Sequence, residues 1–205
     1  MAPRFVLHHH PHSRSQRIRW LLEEAGAPYE IVAHDFEAGT HKRPDFLKLN
    51  PDGKLPTVID RGPDGRSSVV LTESAAIVIH IPDAIPEAGL APPPGAPERG
   101  PYLTWIVYTA AALEPALADA AFPRATTPPA RAIGWPPFEA ALDRVQSAIG
   151  DGPWLLGERF SAADVMLAGL LFWVRAWGKL PDPDRFGPYL DRIAARPAHR
   201  RIFAA

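Results

Sequence analysis

The chain has 205 residues, 46% of them hydrophobic, and 22 Lys+Arg against 23 Asp+Glu leave a formal net charge of −1. That length and apolar content suffice for a sizeable core in one domain or two small ones, and the balanced charge gives no broad attraction to nucleic acid. With no cysteine, disulfide staples, thiolate metal sites and redox chemistry by a protein thiol are excluded.

In chain order, residues 4–7 (RFVL) read as a short buried strand. Residues 18–25 read as a helix, with Ile18, Leu21, Leu22 and Ala25 on the apolar side, Glu23 and Glu24 on the wetter side, and Gly26 as the C′ residue that ends it. Residues 29–32 (YEIV) form a second strand. Residues 46–49 suit a short helix closed by the turn Pro51-Asp52-Gly53. Residues 55–59 (LPTVI) and 68–71 (SVVL) are a third and a fourth strand, joined by a hairpin loop with two glycines. Residues 73–81 are helical by length. The order βαβ, short helix, ββα requires a right-handed crossover and ends in an antiparallel hairpin. This predicts an α/β unit with a small mixed four-stranded sheet and helices on its faces.

The second half reads as all-α. Helices are predicted over about 101–121, 137–149, 161–177 and 185–195. Ser161 and Asp164 form a capping-box variant, Ser161 accepting from the amide of residue 164 and Asp164 reaching back to the amide of Ser161. The apolar run that follows looks buried on nearly all sides, as the central helix of a bundle would be. The predicted domains are 1–82 and 98–205, with a Pro-, Ala- and Gly-rich linker at 83–97. The N-terminus shows no long apolar segment ahead of a cleavage site. The longest apolar stretch, VMLAGLLFWV from Val165, is too short to span a bilayer. A cytoplasmic protein without membrane contact is expected.

The stretch HHHPHSRS from His8 is the most suggestive for chemistry. Three consecutive histidines cannot share one focus on a strand, because side chains alternate; His8 and His10 can share a face, but a metal would need further ligands. No metal site is expected. The favoured reading is a strand end running into a loop, with some of the histidines near a polar cleft. Ser13 and Ser15 follow at the mouth of the first helix, where unpaired amides and positive potential stabilise an anion. A serine there either caps the helix, its commonest role, or donates a hydrogen bond to a bound thiolate.

The stretches PHSRSQRIRWLLEEAGAPYE, FLKLNPDGKLPTVID, LTESAAIVIHI, YLTWIVY and GERFSAADVML, in that order across nearly the whole chain, resemble the glutathione S-transferase superfamily, specifically bacterial serine-type members with an SRSxR helix start. The resemblance implies a thioredoxin-like N-terminal domain followed by an all-helical C-terminal bundle. It also implies glutathione as co-substrate and homodimerisation.

In serine-type members a serine near the start of the first helix meets the glutathione sulfur. Spacing back from Arg17 puts that role on Ser13, with Ser15 in reserve. Leu55-Pro56 matches the family's hydrophobic residue and cis-proline, where the backbone of the first residue pairs with the cysteinyl part of the ligand. Glu73 and Ser74 match the pair that holds the γ-glutamyl ammonium and carboxylate at a helix start; otherwise they are capping residues. His41 and Lys54 are implied for the glycyl carboxylate, and without the resemblance His41 and Lys42 read as a solvated charge pair. Tyr102, Trp105 and Tyr108 are candidates for an aromatic wall against the second substrate, or else for core or dimer packing. Trp177 is a further candidate for closing that pocket.

The implied function is detoxifying transfer of glutathione sulfur to a small hydrophobic electrophile, with a glutathione-dependent peroxidase variant. The rival reading is a non-catalytic ligand-binding or protein-interaction module. Two departures stand out. The stretch HIPDAIP from His80 lacks the family's usual tyrosine-leucine ending, so the helix is expected to stop at Pro82. The stretch IVYTAAALEP is less polar than in close relatives.

Overall fold

A computed structural model describes residues 2–126 and 128–203. The chain divides into two compact units, one made of residues 1–90 with 197–205 and the other of residues 91–196.

The first unit is built on four strands, β1 (Phe5–His9), β2 (Tyr29–Ala33), β3 (Thr57–Asp60) and β4 (Val69–Thr72). Their order in the sheet is β2-β1-β3-β4, with β1 and β2 parallel and the other two pairings antiparallel. The parallel pair needs a crossover, which α1 (Ser15–Glu24) supplies; α2 (Pro44–Leu49) precedes β3, and α3 (Ser74–Ala84) follows β4. This is the thioredoxin-like α/β arrangement expected. Ile18, Trp20, Leu21 and Leu22 of α1 are fully enclosed. They are covered because α1 packs on β1 and α3 along one flank and on a helix from the chain's far end, α9 (Pro197–Phe203), along the other.

Asp60, at the end of β3, fastens this unit. It accepts from Arg4 at 2.7 and 3.0 Å, from His80 at 2.8 Å and from the amide of Gly62 at 2.8 Å. Burial alone would raise its carboxyl; the bonds from Arg4, His80 and Gly62 outweigh it and hold the group below the usual carboxylate range. Arg4 also donates to the Ala84 carbonyl at 2.8 Å, tying β1 to the end of α3.

Helix α3 does not stop at Pro82, as the sequence suggested, but runs to Ala84 with Pro82 inside it. The proline has no amide to donate back along the helix, yet helical bonding resumes after it, the amide of Ile85 reaching the Ile81 carbonyl at 3.1 Å.

The second unit is helical. One long run comprises α4 (Arg99–Tyr108), a π-helical turn over Thr109–Leu113, and α5 (Glu114–Ala121). Pro115 stands two residues after the end of the wide turn. Its missing amide explains why the regular ladder is interrupted there. The amphipathic α6 (Phe138–Ile149) buries Phe138, Ala141, Leu142, Val145 and Ile149, and α8 (Gly187–Ala194) buries Tyr189, Leu190 and Ile193. Between them in sequence, α7 (Ala162–Ala176) is buried on nearly all sides as far as Leu171, as the apolar run predicted, and opens to solvent at Trp173 and Ala176.

The start of α7 is a capping box. The amide of Ser161 donates to Asp164 at 2.9 Å, and the Ser161 hydroxyl accepts from the amide of Asp164, as expected, and also from that of Ala163 at 3.3 Å. Asp164 also accepts from the amide of Leu155 at 2.8 Å and from the Tyr189 hydroxyl at 3.0 Å. No helix among the described residues is long and apolar enough to cross a membrane.

Candidate functional site

The sheet register determines what gathers at one of its ends. Val32, His8, Thr57 and Thr72 are successive partners across the four strands. β1, β2 and β4 end at or within a residue of this row, while β3 begins there. Beyond it lie His34 after β2, the His10–Ser15 loop after β1, Leu55-Pro56 before β3, and Glu73-Ser74 after β4. Segments far apart in sequence therefore meet at a single edge.

At the mouth of α1 the two serines touch, their hydroxyl oxygens 2.6 Å apart. Ser13 is partly open to solvent, whereas Ser15 is fully enclosed. The Ser13 hydroxyl donates to the His10 carbonyl at 2.8 Å, and its oxygen accepts from the amide of Ser15 at 3.2 Å. Arg14 occupies the cap position with no side-chain capping bond, and the first turn holds no acidic residue. The positive end of this helix is therefore left unneutralised by the chain.

Alternation along β1 separates the histidines. His8 turns towards His34, with Nδ1 and Nε2 2.9 Å apart, and packs against Phe46. His10 stacks on Phe36 with ring centroids 4.0 Å apart. His9 faces the other way, and its Nδ1 lies 2.7 Å from the Ser15 hydroxyl. Burial, aided by the neighbouring His34, lowers His8 to about 4; burial, then Arg19 and His10, lower His9 to about 4. Among the described residues no group of three or more His, Asp or Glu side chains is arranged to hold a metal ion.

The Leu55–Pro56 peptide is cis, and both residues are buried. Leu55 lies beyond the last paired residue of β3. Asn50 supports this loop, its amide donating to the Lys54 carbonyl at 2.9 Å and to the Thr57 hydroxyl at 3.0 Å. The sequence placed some of the histidines near a polar cleft without singling out His9, and Asn50 was passed over. The strand alternation rule was the available signal for His9, and nothing local marked Asn50.

Glu73 is exposed and has φ 65° and ψ 122°, the one non-glycine with positive φ among the described residues. Such strain in a side-chain-bearing residue persists only where the surroundings impose it, and it clusters at binding sites. Ser74 is buried and opens α3. The amides of Ser74, Ala75 and Ala76 precede the first bond of that helix, which Ile77 makes to the Glu73 carbonyl at 3.1 Å.

His41 stands edge-on to Phe36, ring centroids 4.8 Å apart, and its enclosed Nδ1 makes no hydrogen bond among the described residues. Lys54 is exposed beside Leu55. Lys42 is engaged locally, donating to the Asp52 carbonyl at 2.7 Å.

The aromatic candidates belong to the helical unit. Tyr102 is fully buried in its core. Trp105 and Tyr108 meet edge to face at 5.4 Å, and the Arg144 guanidinium lies 4.2 Å from the Tyr108 ring centroid. The Tyr108 hydroxyl is enclosed without a hydrogen-bond partner among the described residues. Trp177 joins a different cluster, stacked on Trp173 at 5.2 Å and packed against Phe122 at 5.6 Å.

Comparison with known proteins matches residues 3–83 to the family model "Glutathione S-transferase, N-terminal domain" and residues 128–203 to "Glutathione S-transferase, C-terminal domain". The chain is similar to the disulfide-bond oxidoreductase YfcG of Escherichia coli K12, 27% identical over 92% of this chain and 89% of that protein. Among solved structures, a glutathione transferase from Methylococcus capsulatus is 32% identical, with a TM-score of 0.75 over 97% of this chain and 96% of that one. One from Burkholderia graminis, with two glutathione molecules bound per subunit, is 25% identical, with a TM-score of 0.77 over 98% of this chain and 87% of that one.

Proposed function

Because the chain belongs to the glutathione S-transferase superfamily, we propose that it binds glutathione along the edge beyond the Val32–His8–Thr57–Thr72 row and transfers its sulfur to a small hydrophobic electrophile. The observation that carries this reading is the convergence there of a helix start with no acid in its first turn, a cis-proline and a strained Glu73 before a second helix start.

Each part of the tripeptide finds complementary chemistry. The γ-glutamyl carboxylate is received by the Ser74 amide and hydroxyl at the start of α3, and its ammonium by Glu73. The backbone of Leu55 pairs with the cysteinyl amide groups like an added strand. Lys54 answers the glycyl carboxylate, with His41 as the second candidate. Ser13, the serine open to solvent, donates to the sulfur; Ser15 is enclosed behind it. The family's homodimer is the assembly we assign.

The mechanism follows from the ionisation of the thiol. A free thiol titrates near pKa ~8.5, so only a few per cent is thiolate at neutral pH. A hydroxyl donor and a helix N-terminus both favour the charged form, and each unit of lowering is worth about 1.4 kcal/mol. The thiolate attacks the electrophilic carbon, forming a C–S bond; the leaving group departs with its electron pair, or an activated alkene takes up a proton from water.

Ultraviolet absorbance of bound thiolate tests the reading. Ser13→Ala is expected to raise the bound thiol by about one pKa unit and to slow turnover of a chlorodinitrobenzene. Absence of glutathione binding in the native protein overturns it. A thiolate signal with no turnover on any electrophile instead supports a ligand-binding role.

Similarity to a disulfide oxidoreductase and to a transferase holding two glutathiones favours a second reading. Without a cysteine in the chain, disulfide exchange must draw both thiols from glutathione: two glutathiones reduce one disulfide to two thiols and leave as glutathione disulfide. Turnover of bis-hydroxyethyl disulfide at rates above those with electrophiles decides for it.

A further inference from the structure

The serines at the mouth of α1 are not isolated hydroxyls. They are the outer members of a chain that begins at His9, and counting protons along it gives the chain a direction. The Ser15 oxygen lies 2.7 Å from His9 Nδ1, 2.6 Å from the Ser13 hydroxyl, and 3.1 Å from both the amide and the carbonyl of His10. A hydroxyl has one proton and two lone pairs. The His10 amide can only donate, so it occupies one lone pair. One lone pair and one proton remain for His9, Ser13 and the His10 carbonyl, which can only accept.

Two arrangements place a hydrogen in both of the shorter contacts, to His9 and to Ser13, and leave the 3.1 Å contact with the His10 carbonyl aside. If His9 Nδ1 lacks a proton, Ser15 donates to it, and the lone pair left on Ser15 draws the Ser13 proton inward. If Nδ1 carries the proton, it fills the second lone pair of Ser15, and Ser15 donates to Ser13, its nearest acceptor. Ser13 then accepts from the Ser15 hydroxyl and, at 3.2 Å, from the Ser15 amide. Both Ser13 lone pairs are occupied. Its proton, resting on the His10 carbonyl at 2.8 Å, is all it can offer an arriving ligand.

We propose that His9 is a positioning residue for sulfur activation, its Nδ1–H tautomer directing the chain His9→Ser15→Ser13 so that Ser13 can donate to a bound sulfur but cannot accept from it. A thiol needs an acceptor for its S–H; a thiolate needs a donor. A serine that can only donate therefore discriminates for the anion, beyond what a freely rotating hydroxyl achieves. The proposal rests on the assignment of Ser13 to the sulfur.

His9 is not the base that removes the thiol proton. It is buried, and Arg19 and His10 are the charged or titratable groups acting on it. Burial foremost, then these two, keep it neutral down to about 4, too weak a base to hold a proton given up by a thiol. The proton leaves to solvent, and the imidazole stays neutral with its tautomer intact. Ser15 is fully enclosed, which keeps water from supplying an alternative donor or acceptor in the middle of the chain.

Nitrogen NMR of His9 in the native protein tests the proposal first: the Nδ1–H tautomer is expected, and Nε2–H overturns the chain direction. Variants test the consequence. His9→Phe retains a ring but removes the donor; bound glutathione is expected to show about a tenfold lower thiolate fraction at neutral pH, equivalent to a thiol pKa about one unit higher. Affinity for S-methylglutathione, which has no proton to lose, stays unchanged. His9→Asn, whose amide nitrogen can occupy the Nδ1 position, restores the native titration. An unchanged thiol pKa in His9→Phe, an equal rise in both variants, or a matching loss of S-methylglutathione affinity overturns the proposal, the last two indicating packing alone. A Ser13→Ala protein whose bound thiol titrates as in the native one, with His9 found as the Nδ1–H tautomer, shows instead that the serine assignment is at fault.

Discussion

The start of α7 and the start of α1 both gather serine hydroxyls, yet they are finished in opposite ways. At α7 an acid closes the site: Asp164 takes up the amides of Leu155 and Ser161 and the hydroxyls of Ser161 and Tyr189. Negative charge meets the positive helix end, and these four donors are all satisfied by the one carboxylate. At α1 no acid enters the first turn, the cap residue Arg14 makes no side-chain capping bond, the Ser15 amide is met by the neutral Ser13 hydroxyl, and the neighbouring imidazole is neutral. One start spends its potential on stability, and the other leaves it available to an anion.

Acid gives the largest expected break in this comparison. His8, His9 and His199, all in the first unit, are lowered to about 4, burial being the leading cause for each. The unfolded chain therefore binds more protons between the ordinary histidine value of 6.5 and about 4, and stability is lost as pH falls through that window. Asp164 has the opposite sign: burial raises it in spite of four hydrogen bonds, so protonation costs its folded form less. Hydrogen exchange followed as pH is lowered should show β1 and α1 losing protection before α7; simultaneous loss would refute the contrast.

Next in size is Asp164→Ala, which strands several buried donors. It is expected to cost about 3 kcal/mol in urea unfolding, while leaving the thiolate absorbance of bound glutathione unaltered at temperatures where the variant is folded. Smallest is Arg14→Asp, which gives α1 the acid it lacks. Helix stability should rise by about 0.5 kcal/mol, and the bound thiol should titrate about half a unit higher. Stability and activation moving in the same direction would break the comparison.

Much of this was legible in the sequence, for reasons that differ by element. Strand and helix order came through because β1, β3 and α7 are short, strongly apolar runs between turn residues. The capping box was visible because its residues are three apart; Tyr189 was not, because it arrives from 25 residues away. Helix α1 begins at Ser15 and not Ile18, since Ser-Gln-Arg carries no apolar period. Helix α9 was missed altogether: seven residues rich in charge show little pattern alone, and their burial depends on α1. At the site, the residue types and spacing singled out Ser13 and Ser15, but only the fold shows which one is enclosed and which histidine stands behind it.

The return of α9 has a further consequence for biosynthesis. Trp20 packs against His199 and Phe203, and Glu23 pairs with Arg201 at 2.9 Å. A nascent chain emerged only through Leu90 has made every strand of the sheet but leaves that flank of α1 bare. The helix that opens at Ser15 is thus fully clothed only when residues 197–203 have left the ribosome, with all of residues 91–196 translated in between.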